Sequence, residues 1–145
     1  MSFILPSETV FYSIERAIKE YRKFAQKKLS EQLEGLTIDQ GMVLLFLDRH
    51  PNISQKEMAS LIFRDNASLT RMINLMVEKG YLRRSVNPDD RRRFVIEITS
   101  KGQEAIEKMP SIITENRKKS LNGLSNKEVD QLKSLLNKIA ENCKN

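Results

Sequence analysis

Covalent staples, metal sites and acid–base catalysis have little to work with in this 145-residue chain, which contains one cysteine and one histidine. The lone Cys143 can form neither an internal disulfide nor a Cys-x-x-Cys redox pair. His50 lacks the neighbouring nitrogen and sulfur ligands that a zinc site needs; it reads better as a helix-terminal residue favoured by the macrodipole. No Ser/His/Asp set and no Gly-rich phosphate loop is present, so no catalytic residue, metal site or cofactor is expected and the chain does not read as an enzyme. Long apolar runs are missing as well. The longest, MVLLFL at Met42 to Leu47, falls far short of the roughly 20 residues that span a bilayer, and no membrane partner is expected. The opening residues MSFILPSE have neither a basic n-region nor a signal-peptide core, so a cytoplasmic location is expected. Five glycines and four prolines are scattered singly as punctuation, with no repeat or low-complexity tract.

Basic charge is what the chain has in excess: 25 Lys plus Arg against 19 Asp plus Glu, a formal net charge of +6. Such a balance suits a polyanionic partner. Hydrophobic residues make up 39% of the sequence, enough for one modest core, and residues 1–145 are expected to form a single domain.

Apolar periodicity divides the chain. Val10, Ile14, Ala17, Ile18, Tyr21, Ala25, Leu29 and Leu33 recur at helical spacing and predict a first helix of about 25 residues ending at Gly35. Thr37 to Gln40 (TIDQ) has the form of a capping box and opens a second helix to about Arg49, where Pro51 forbids continuation. A second box, Ser54 to Glu57 (SQKE), opens a short third helix carrying Met58, Leu61 and Ile62. Asp65 or Asn66 caps a fourth, with Leu69, Met72, Ile73, Met76 and Val77 inward and Gly80 closing it. The period then changes to two: Tyr81 to Val86 and Phe94 to Ile98 predict strands around the loop NPDDRRR. Thr99 or Ser100 caps a fifth helix with Ala105, Ile106, Met109, Ile112 and Ile113 inward and a kink at Pro110, and Ser125 to Glu128 starts a sixth.

Two short helices followed at once by a hairpin have the layout of a winged helix-turn-helix, so the expected fold is mainly α with a small β-hairpin. Residues 36–98 would form the winged part, and residues 1–35 and 99–145 the dimerisation helices, because both chain ends carry apolar stripes that one small winged domain cannot cover. Between Arg64 and Arg93 stand eight Lys or Arg and four acids, which places +4 of the net charge in 30 residues. With its apolar set turned inward, the fourth helix presents Asn66, Ala67, Ser68, Thr70, Arg71 and Asn74. An arginine can fork to guanine, an asparagine to adenine, and an alanine methyl can touch thymine. Ser54 and Gln55 add donors beside a helix start, suited to phosphate. Arg91, Arg92 and Arg93 at the hairpin tip suit an adjacent minor groove, with Asp90 as their brace.

The segment DDRRRFVIEITSKG resembles the wing signature of the multiple-antibiotic-resistance regulator (MarR) family: Asp-x-Arg, five residues, Leu-Thr, two residues, Gly, with Asp90, Arg92, Ile98, Thr99 and Gly102 in register. LTIDQGMVLLFL resembles that family's second helix, ASLTRMINLMVEKGYLRR its recognition helix and first wing strand, and GLSNKEVDQLKSLL the turn into its last helix. The resemblance implies a homodimeric transcriptional regulator, usually a repressor, that binds a pseudo-palindromic double-stranded DNA operator. It places the DNA contacts on Ser68, Thr70, Arg71 and the arginines around Arg92, and a small-molecule effector in a cleft between dimerisation region and winged domain. The chain departs from the peroxide-sensing branch in having no N-terminal cysteine, and from metal-sensing branches in having one histidine. Gly41 stands where the family commonly has a bulky side chain, which either opens space for a ligand or lets a neighbouring helix approach. A rival reading keeps the winged helix but gives its basic hairpin an acidic protein surface to grip in place of DNA.

Overall fold

The structure, a computed structural model, describes residues 2–90 and 94–144. A 3-10 turn at Pro6–Glu8, which the sequence did not announce, precedes α1 (Val10–Gln32), α2 (Ile38–Arg49), α3 (Gln55–Leu61) and α4 (Asn66–Glu78). The strands β1 (Leu82–Val86) and β2 (Phe94–Ile98) pair antiparallel, with Leu82 opposite Ile98 and Val86 opposite Phe94. Helices α5 (Ser100–Ser120) and α6 (Asn126–Cys143) complete the expected order.

Local chemistry accounts for the helix starts. Thr37, Ser54, Asp65, Thr99 and Ser125 each accept a backbone N–H of the first turn, which satisfies a donor with no intrahelical partner. The boxes at Thr37 and Ser125 close reciprocally. At Ser54 the Glu57 carboxylate accepts the serine hydroxyl (2.9 Å). Gly80 follows α4 at φ 85°, the left-handed conformation that favours glycine.

The core lies between the C-terminal half of α1 and helices α2 to α5, with Leu36, Leu44, Leu69, Met76, Leu82 and Met109 fully buried. Three local features lie at or near helix ends or at a helix-interior proline. Leu61 does not face the core but is 43% exposed, because α3 ends there and the turn carries it outward. Helix α5 continues as one helix through Pro110, which stands on its exposed side. The α3–α4 turn is also unexpected: Phe63 takes φ 58° with its ring 94% exposed, a left-handed conformation that costs a non-glycine residue about 1–2 kcal/mol.

The hairpin is locked to α5 at one junction. Thr99 accepts the Gly102 N–H (3.1 Å) on its hydroxyl, donates that hydroxyl to the Gly80 carbonyl (2.5 Å), and donates its N–H to the Tyr81 carbonyl (3.2 Å). A Cβ at Gly102 would lie 2.4 Å from the Tyr81 carbonyl oxygen, so backbone meets backbone there with no room for a side chain. At Gly41 a Cβ would lie 3.0 Å from Met109 Sδ, and α2 and α5 pack closely at that point.

Candidate nucleic-acid interface

Helix α4 buries Leu69, Met72, Ile73 and Met76 as one stripe and leaves Asn66, Ala67, Thr70, Arg71 and Asn74 exposed, with Ser68 half-buried. Several of these groups are held in place. Gln55 at the start of α3 donates to the Thr70 hydroxyl (2.6 Å), which in turn donates to the Asn66 carbonyl (2.8 Å). Arg84 of β1 donates to Asn74 Oδ1, and Arg64 donates to the Ser68 hydroxyl (2.8 Å). Arg71 has no hydrogen-bond or ion-pair partner among the described residues. The α3 start, the outer face of α4 and strand β1 are therefore joined side chain to side chain on one side of the molecule. Ser54 is less available than its sequence position suggests, since Glu57 takes its hydroxyl proton and brings a carboxylate beside it.

In the hairpin, Glu97 accepts from Arg83 (2.6 Å) and from the Ser85 hydroxyl (3.0 Å). The Arg83 bond, then the Ser85 bond, holds the Glu97 carboxyl below the usual carboxylate range. Asn87 opens the tip as an Asx turn, accepting the Asp89 N–H on its side chain (2.9 Å) and the Asp90 N–H on its carbonyl (3.3 Å). Arg91, Arg92 and Arg93 lie outside the described residues, and so does the brace expected between them and Asp90. Arg84 is a residue the charge count included without giving it a place; only the pairing of β1 beside α4 brings it onto the reader.

Residues 36–94, from Leu36 through α2, α3, α4 and the hairpin to the first residue of β2, match the model of the MarR family. Over this winged part the chain is similar to the MarR family. A curated relative, the HTH-type transcriptional regulator BilQ of Clostridium symbiosum (strain WAL-14163), is 26% identical over 123 residues, covering 85% of this chain and 84% of BilQ. Among solved structures, the Staphylococcus aureus MepR–DNA complex is similar with a TM-score of 0.81 and 25% identity over 97% of this chain and 100% of that one. Bordetella bronchiseptica BpsR, whose DNA binding is regulated by 6-hydroxynicotinic acid, shares the fold with a TM-score of 0.83 and 23% identity, covering 96% and 98% of the two chains.

Between α1, α2 and α5 the chain holds a cavity of about 400 Å³. Its wall is mostly apolar, from Gly41, Phe46 and Met109, with Tyr21, Arg22, Asn116 and Arg117 as polar points. Asn116 is 5% exposed and is one of the residues that line the cavity. Gly41 both lies against Met109 and lines the cavity.

One buried charge escaped the sequence reading. Asp39, in the first turn of α2, has a side chain 7% exposed. Its Oδ1 accepts from Arg22 of α1 (2.6 Å), and its Oδ2 accepts two donors of Arg64 in the α3–α4 turn (2.8 and 2.5 Å). Burial alone would push its carboxyl up, but the hydrogen bonds and charges of Arg22 and Arg64 outweigh that and hold it below the ordinary aspartate value.

Proposed function

We propose that this chain is a MarR-family regulator: a homodimeric, sequence-specific transcriptional regulator of the repressor type. It would bind a pseudo-palindromic double-stranded DNA operator and release it when a small organic effector enters the cavity between α1, α2 and α5. The observation that carries the reading is the continuous polar and basic face formed by the α3 start, α4 and β1, cross-linked by Gln55–Thr70 and Asn74–Arg84. Asn66, Ala67, Thr70 and Arg71 offer short groups, a methyl and one guanidinium, the set that reads base edges from a helix lying in a major groove. The hairpin that follows would reach the neighbouring groove with Arg91, Arg92 and Arg93, which stand between its two strands in sequence. The MepR–DNA complex, similar over nearly the whole chain, supports DNA as the partner.

Dimerisation has its own support. Helix α6 buries none of its residues, and Leu132 and Leu135 stand exposed on it, as Val10, Phe11 and Ile18 do on α1. A groove of about 920 Å³ runs between α1 and α6 past Ile14, Phe24 and Leu136. Apolar area of this extent on both ends of a chain is covered most economically by a second copy. The effector reading rests on a mostly apolar chamber whose wall carries Tyr21, Arg22, Asn116 and Arg117 as polar points, and BpsR offers a relative whose DNA binding a small aromatic acid regulates. Genomic footprinting tests the whole reading. It should return one motif with two inverted half-sites whose centres lie about one helical turn apart; fragments bound without a shared motif would refute it.

A further inference from the structure

Asp39 ties together parts of the chain that the DNA-binding reading keeps separate. Arg22 belongs to α1 and lines the cavity; Arg64 belongs to the turn before α4; Ser68 is on the reader itself. The contacts run without a gap: Arg22 to Asp39 Oδ1 at 2.6 Å, Arg64 to Asp39 Oδ2 at 2.8 and 2.5 Å, and Arg64 Nη1 to the Ser68 hydroxyl at 2.8 Å. Ser68 also gives its N–H to the Asp65 cap at 2.7 Å, so the group at the end of this chain sits in the first turn of α4.

We infer that Asp39 is a positioning residue of the DNA interface, and that the chain Arg22–Asp39–Arg64–Ser68 transmits the state of the cavity wall to the start of the reader helix. The inference rests on the reading of α4 as the DNA reader. A buried carboxylate must have its lone pairs satisfied. With Arg22 in place, Oδ1 is covered and Arg64 places both of its bonds on Oδ2, which leaves Nη1 directed at Ser68. Drawing Arg22 away uncovers Oδ1. Arg64 is then the cation left to cover both oxygens, which a guanidinium does as a side-on fork across the carboxylate. That rotation takes Nη1 off Ser68 and loosens the first turn of α4, where Asn66 and Thr70 stand. An anion entering the cavity would compete with Asp39 for Arg22 and act in this way; substitution of Arg22 mimics it without any ligand.

The test uses the full-length dimer, an operator fragment taken from footprinting, and the variants Arg22→Gln, Ser68→Ala, Asp39→Asn and their pairs, with thermal unfolding as a check of folding. Arg22→Gln should weaken operator binding by roughly tenfold, within the usual range of site-to-site coupling, although Arg22 lies on neither reader nor wing. The effects of Arg22→Gln and Ser68→Ala should combine to less than their product, and Arg22→Gln should add nothing in the Asp39→Asn background. If Asp39→Asn does not fold, Arg64→Gln takes its place as the background. Wild-type affinity in Arg22→Gln, or a full Arg22→Gln effect that persists without Asp39, overturns the relay. Amide hydrogen exchange of the free dimer separates this failure from failure of the DNA reading. Arg22→Gln should speed exchange at Ser68 and Leu69 whether or not DNA binds, and unchanged exchange there overturns the relay even if the operator is bound well.

Discussion

Gly102→Ala sets two effects of opposite sign against each other at one atom. On helix propensity alone the change favours the fold, since alanine is better than glycine by about 1 kcal/mol in a helix, and by less in a first turn. Packing opposes it. The new Cβ would lie 2.4 Å from the Tyr81 carbonyl oxygen and 2.8 Å from Ile98 Cγ2. Relief requires the α5 start to move away from the α4–β1 turn by most of an ångström, and the Thr99 bonds to the Gly80 and Tyr81 carbonyls hold those two segments together. Forcing a methyl into such a contact costs about 1–3 kcal/mol, occasionally more where backbone must shift. The steric cost wins, and we expect a net destabilisation of about 2 kcal/mol. For a chain of this length that lowers Tm by roughly 4–8 °C, read at one fixed protein concentration because a dimer's Tm depends on it. A variant as stable as the wild type, or more so, would refute the argument that the signature glycine is there for backbone contact.

Arg71→Ala should relax operator preference by about 1–3 kcal/mol at the base pair it reads, measured by binding to a panel of single-base operator variants. Leu135→Glu, which places a charge on an apolar position 60% exposed in the single chain, should shift the sedimentation profile from dimer to monomer; a persistent dimer counts against the α6 face as interface. Asp39 titrates below its ordinary value when folded, so its ion pairs stabilise the fold above the unfolded-state pKa and lose that contribution as pH falls through the lower folded value. In urea unfolding, the gap between wild type and Asp39→Asn should be widest near neutrality and close as the pH drops below the aspartate range; a gap that widens in acid would reverse the sign assigned to this pair.

Helix boundaries were legible in this sequence because short-range chemistry writes them. Asp65 and Thr99, each one of two candidates, turned out to be the caps, and Gly80 ended α4 where its position said it would. Inward residues of α4 and α5 followed from spacing alone. Asp39 did not, because in sequence it is only an acid in a capping box, unremarkable in a first helical turn. Its partners Arg22 and Arg64 stand 17 and 25 residues away and meet it only when α1 and the α3–α4 turn close over α2. The same holds for Arg84 on Asn74, a contact set by β1 lying beside α4. Helix α3 stops at Leu61, short of Arg64, and a periodic pattern carries no mark of where a seven-residue helix ends.

The central claim, that the α4 face and the adjoining hairpin form one DNA-reading surface, is tested most directly by equilibrium binding to the footprinted operator and to a shuffled duplex across a salt series. The account predicts an operator preference on the order of 10³ or more and a log K against log salt slope of roughly −6 or steeper for the dimer, from the phosphates neutralised along two half-sites. Equal affinity for the two duplexes at every salt concentration, or binding indifferent to salt, would contradict it.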